Sequence, residues 1–231
     1  MVEAVKEVTK NGKILRETIL GGQDGLVNVL GVVLGVAAAT TEQRIILISG
    51  LAATFAESIS MGAVAYTSTK AARDFYQSMV QREEKEIENV PRLEKEEIKA
   101  IFYNKGFRGK LLKDSVKKIT SEKKVWLETM MAEELRLFPD EYEHPLKSGF
   151  IVGGSSVIGS FIPLFPFFVT TGLNAMLTSV LLSALFLFVG GSIKAKLTIG
   201  DWKRSGTEML LIGLTAALVG YVIGTLLGVA P

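Results

Sequence analysis

Forty-six consecutive residues, Ser148 to Ile193, contain no Asp, Glu, Lys or Arg. From Ser205 to Pro231 the only charged residue is Glu208. Charge is concentrated between them and the N-terminal part, where Lys70 to Lys147 holds 17 basic and 16 acidic residues. The segregation explains how a mean hydropathy of +0.33 coexists with 22% charged residues. Apolar stretches of ~20 residues are the length a helix needs to cross a bilayer. A soluble globular enzyme is therefore excluded, and the fold class expected is an all-α integral membrane protein.

Five spans are expected, at about 18–39, 45–69, 148–169, 173–193 and 207–229. The breaks are Thr40 to Arg44, the charged middle, Thr170-Thr171-Gly172, and Lys194 to Ser205. The N-terminal part, the middle and the last loop then share one side and hold 25 of the 26 Lys and Arg; only Arg44 lies opposite. By the positive-inside rule these three regions face the cytoplasm and the C-terminus faces outward. The organisation expected is 1–70 for an N-terminal cytoplasmic segment and spans one and two, 71–146 for a cytoplasmic helical domain, and 147–231 for spans three to five. Within the middle, span two continues as a helix to about Asn89. Pro91, suited to a helix's first turn, opens a second helix to Asn104. A third runs from Phe107 to Leu137, with Pro139 and Pro145 marking the return to the membrane. Gly220-x-x-x-Gly224-x-x-x-Gly228 is a small-residue packing surface.

Ionisable residues inside a span cost ~2.5–3.5 kcal/mol at its centre and so point to function. Asp24 and Glu57 qualify, and one helical turn on from each lie Asn28 and Met61. Polar packing is the plainer alternative for both carboxylates. In the middle segment, Glu83 and Glu86 share a helical face, as do Glu94 and Glu97. Two such helices folded together bring four carboxylates to a divalent ion, although Glu interleaved with Lys is also an ordinary solvated helix surface. Glu84, Glu88 and Glu96 fall on other faces. Met130, Met131, Glu133 and Glu134 follow on the third helix, where consecutive exposed Met would be unusual.

No Cys is present and His144 is the only His. Thiolate zinc sites, iron–sulfur clusters and multi-histidine centres are thereby excluded. A donor set of Asp, Glu, Asn and Met suits Fe²⁺, with Mn²⁺ next. Basic residues interleave with acidic ones and form no stripe, which argues against nucleic acid.

Asp24-Gly25-Leu26-Val27-Asn28 resembles the span-one signature of the vacuolar iron transporter family, and Ser60-Met61-Gly62 is similar to its span-two signature. Pro163-Leu164-Phe165-Pro166-Phe167 resembles the proline-containing span three. The intervals from Asp24 to Met61 and on to the Glu83/Glu86/Glu94/Glu97 set look the same as in plant members. The resemblance covers about 20–228. It implies five spans, a homodimer with the pathway at the subunit interface, and a cytoplasmic metal-binding domain of three helices. It implies export of Fe²⁺, often with Mn²⁺, in exchange for protons, with the metals as substrates and no prosthetic group. Asp24, Asn28, Glu57 and Met61 would line the path. Glu83, Glu86, Glu94, Glu97, Met130, Met131 and Glu134 would collect metal. Met131 stands where plant members carry a carboxylate, and Glu133 is the nearest substitute. The membrane would be the cell membrane in a prokaryote and vacuole-type in a eukaryote. Rival readings are a passive divalent-metal channel, and a membrane-anchored metal sensor or ferroxidase.

Overall fold

The computed structural model describes residues 2–138, 144–198 and 200–228. The expected boundary marker Pro139 lies outside them. Helices account for the regular structure: α1 Val2–Ala39, α2 Gln43–Asn89, α3 Pro91–Asn104, α4 Gly109–Ile119, α5 Lys123–Glu133, α6 Pro145–Leu164, α7 Pro166–Val169, α8 Gly172–Leu197 and α9 Trp202–Leu227. The chain divides into two compact units, Met1–Tyr66 with Leu146–Pro231, and Thr67–Pro145.

In the first unit many large apolar residues face outward while small ones line the helix contacts. Along α8, the residues buried are Ala175, Ser179, Ser183, Leu187, Gly191 and Ala195, one per turn. The opposite stripe, including Leu173, Leu177, Leu181 and Leu185, is more than half exposed. A helix in water would bury the leucines; in lipid, leucine gains little by leaving the solvent, and small residues let backbones pack closely. Helices α1 and α9 show the same economy of volume. A Cβ on Gly220 would stand 2.1 Å from the Gly31 carbonyl oxygen, and one on Gly224 only 1.9 Å from that of Gly35. The Gly220/Gly224 surface is thus used within the chain, against α1.

Four helices among the described residues are long and apolar enough to cross a membrane: α1 over Asn11–Ala39, α2, α8 and α9. Helix α6 is shorter and diluted by glycine and serine, and these residues pack it against α1 and α2. Ser156 is buried and accepts a 3.2 Å hydrogen bond from Ser58 on α2. The continuous helix expected over 148–169 is interrupted at Phe165. Pro166 has no N–H to continue the ladder, and α7 begins there. Just before the break, the carbonyl of the buried Pro163 accepts a 2.7 Å bond from Ser179 Oγ on α8. At the far end of α7, the Gln43 side chain donates to the carbonyls of Phe167 and Thr170. Val29, Val33, Ile46, Leu164, Phe167 and Ala175 form the apolar core around this break.

The second unit is built from the C-terminal part of α2 with α3, α4 and α5. Charged residues dominate α2 beyond Lys70, so only its first half is apolar enough for lipid. The unit's core joins Ile87, Ile98, Trp126 and Met130. Helix α3 begins at Pro91 and gives way to Gly106 at φ +97°, a conformation glycine adopts without strain. The single helix expected over Phe107–Leu137 is two helices, because the chain turns at Thr120-Ser121-Glu122. There Ser121 Oγ donates back to the Lys118 carbonyl at 2.7 Å, the local hydrogen bond by which serine competes with a helix.

Candidate metal centre and intramembrane carboxylates

Helices α2 and α3 meet at a tight hairpin, since Val90 alone separates Asn89 from Pro91. The hairpin brings the Glu83/Glu86 pair to Glu94, while Glu97 is not one of the converging residues. Glu83, Glu86 and Glu94 each offer an oxygen atom, and these atoms lie within 4.8 Å of one another. Glu83 and Glu94 are 3% exposed, which is unusual for carboxylates without a cation between them. They share a hydrogen bond, while Glu94 Oε2 is buried with no partner among the described residues.

The cost of this crowding appears as proton affinity. Glu83 is pushed up to about 8, first by desolvation and then by the charges of Glu134, Glu94 and Glu86. Glu94 is raised by burial and by Glu97, offset in part by its bond to Glu83. Glu134 is raised by desolvation, then by Glu97, Glu94 and Glu86. Glu97 and Glu134 thus add to the negative field of the trio. A multivalent cation relieves all of these terms together, because it supplies the charge that burial has removed.

Met130 is fully buried in the apolar core and Met131 is 3% exposed, so the methionine pair is not the unusual exposed one that consecutive Met in a charged helix would make. Glu133 is ion-paired with Lys105, which commits the nearest substitute for a carboxylate at 131 elsewhere. Glu84 and Glu88 are not simply solvated either: Lys123 bridges them at 2.9 and 2.5 Å. Sequence reasoning missed Arg82, which pairs with Glu86 at 3.0 Å and places one positive charge beside the trio. Its i,i+4 spacing was the available signal.

In the first unit, Asn28 Nδ2 donates to Glu57 Oε1, and Asp24 hydrogen-bonds the same Glu57 side chain. Three polar side chains from α1 and α2 therefore converge between helices that are otherwise apolar. Met61 lies one turn from Glu57 on α2. Asp24, Glu57 and Met61 are half-buried and Asn28 is exposed. Two carboxyls and a carboxamide make an oxygen-rich set, suited to a hard or borderline cation or to a proton.

A family model described as the VIT family matches residues 15–225. The chain belongs to the VIT family. Within that family it is 32% identical over 211 residues to vacuolar iron transporter 1 of Tulipa gesneriana, covering 91% of this chain and 85% of the relative. To vacuolar iron transporter 1 of Arabidopsis thaliana it is 30% identical over 213 residues, covering 92% and 85%. To the vacuolar iron transporter of Plasmodium falciparum it is 33% identical over 223 residues, covering 92% and 82%. The VIT match spans both carboxylate sets, from Asp24 to Glu134.

Proposed function

We propose that this protein is a proton-coupled exporter of Fe²⁺, and of Mn²⁺, acting as a homodimer and not as an enzyme. The observation that carries the reading is the convergence of Glu83, Glu86 and Glu94 oxygens within 4.8 Å, in a chain of the VIT family. The relatives' name supplies the metal: they are vacuolar iron transporters. The donor chemistry agrees, since carboxylate oxygens suit Mn²⁺ and Fe²⁺, and Met130 and Met131 would add thioether donors only by turning from their buried positions.

In this reading five spans cross the membrane, with α6 and α7 together as the third. The N-terminal part and the Thr67–Pro145 unit are cytoplasmic and the C-terminal end is outside. Glu83, Glu86, Glu94, Glu97 and Glu134 draw hydrated cations from the cytoplasm. Asp24, Asn28, Glu57 and Met61 of both subunits then line the path, with the exposed Asn28 facing the partner. Metal and proton compete for the same carboxylate oxygens, so protons arriving from outside release the cation as they neutralise Asp24 and Glu57. That competition is the coupling.

The test uses purified protein in liposomes enclosing a metal-sensitive dye, with Fe²⁺ or Mn²⁺ added outside and the pH gradient imposed or absent. The expected result is gradient-driven uptake that falls at least tenfold in Asp24→Ala and in Glu57→Gln. Uptake indifferent to the gradient would make the protein a passive channel. Wild-type rates in both variants would overturn the pathway.

A further inference from the structure

The Thr67–Pro145 unit carries a second charged feature, of opposite sign, that metal transport does not use. Helices α3 and α4 enclose an open groove of about 490 Å³. Lys95 and Lys99 line it from α3, and Lys113 and Lys117 from α4; Leu112 and Val116 add apolar surface, and no carboxylate lines it. On each helix the two lysines are one turn apart, an arrangement of like charges that disfavours a helix in isolation. Two such pairs facing one groove compound the repulsion.

The chain itself neutralises only part of this charge. Lys99 pairs with Glu96 at 2.7 Å, on an exposed edge. Lys95 lies 5.5 Å from the Trp126 ring, a contact that attracts the ammonium without cancelling its charge. Among the described residues, neither Lys113 nor Lys117 has a carboxylate in ion-pair range. Glu94 and Glu97, on the same helix as Lys95 and Lys99, are engaged with the carboxylate cluster instead.

Four flexible ammonium groups around a partly apolar groove suit a compact anion with several charges. Lysine binds phosphate as a point charge, without the fixed fork that arginine offers a carboxylate. The groove is bounded by two short helices, of 14 and 11 residues, and forms no extended stripe of the kind nucleic acid needs. We propose that it is a binding site for a phosphorylated polyanion, either a free oligophosphate or the multiply phosphorylated headgroup of an anionic lipid.

The test takes the full-length protein in nanodiscs of neutral phosphatidylcholine and titrates inorganic triphosphate, without metal, by calorimetry. Saturable binding is expected, weakening as salt rises. The double variant Lys113→Gln/Lys117→Gln should lose at least tenfold in affinity, and Lys110→Gln/Lys118→Gln, on the same helix but outside the groove, should keep it. Nanodiscs containing a multiply phosphorylated lipid then separate the two sources. Triphosphate binding abolished there identifies the headgroup as occupant, and binding retained there identifies a free oligophosphate. Absence of saturable binding in neutral discs overturns the proposal. So does binding that survives loss of Lys113 and Lys117, or that falls equally when Lys110 and Lys118 are replaced.

Discussion

Glu83 is the residue at which burial, charge and chemistry meet most sharply. Its carboxyl is pushed up to about 8 because the fold has taken it out of water beside Glu134, Glu94 and Glu86. At neutral pH it is therefore mostly protonated, and a cation entering the trio must displace that proton. Above about 8 the carboxylate is already free, so the displacement vanishes. Metal affinity should fall as the pH drops through this range, the sign expected when proton and metal share a ligand. Mn²⁺ titrations of the full-length protein in buffers of different ionisation enthalpy should register about one proton released per ion near neutrality. That release should shrink toward none above about 8, and Glu83→Gln should remove most of it. An unchanged proton count in Glu83→Gln would mean that another group carries the linkage. That Glu83 and Glu86 share one helical face, and Glu94 and Glu97 another, was legible from their spacing of three. Their burial was not, because spacing describes one helix, and desolvation depends on what the hairpin packs over it.

Among the helices, α1 and α9 make the closest approach, with the Gly31 and Gly35 carbonyls where Cβ atoms on Gly220 and Gly224 would sit. The Gly-x-x-x-Gly pattern was visible in the sequence, but its partner was not. The same pattern serves a dimer or an intramolecular pair, and only the fold shows that α1 of the same chain takes it. Gly224→Leu should therefore destabilise the protomer by about 1–3 kcal/mol, the range for overpacking a filled interface. A lower thermal denaturation midpoint in detergent, with the oligomeric state unchanged by light scattering, is the expected outcome; loss of dimers from a protomer of unchanged stability would contradict it. Breaks in helices were read less well. The turn at Thr120-Ser121 rests on serine bonding its own backbone, and the interruption at Phe165 on Pro166. Thr120-Ser121 carries no glycine or proline to mark a turn, whereas Pro166 was visible and only the break it makes in the helix was not.

For the molecule as a whole, the number of membrane-crossing helices decides on which side each charged segment lies. Among the described residues four helices are long and apolar enough to cross, and α6 carries serine and glycine where it packs. The native chain has no Cys, which gives a clean background for labelling. Single cysteines introduced as Lys13→Cys, Lys105→Cys and Lys196→Cys should all react with an impermeant maleimide from the cytoplasmic side, and Glu42→Cys from the other. Were α6 and α7 to turn back without crossing, Lys105→Cys and Lys196→Cys would label from opposite sides.

The sequence by itself determined the class of molecule and the kind of site. Long uncharged stretches admit only membrane helices, the lack of Cys and the single His leave oxygen and thioether donors, and matched motifs point to the VIT family. Tertiary structure decided what each donor is worth. It closed the α2–α3 hairpin over Glu83 and Glu94, took Met130 into an apolar core, gave Glu133 to Lys105, and brought Asn28 across to Glu57. Periodicity fixes the face on which a residue lies, since it follows from the geometry of a single helix. Desolvation arises where helices meet, and there it joins the charge coupling of each Glu pair to set how strongly a carboxylate holds a proton or a metal ion.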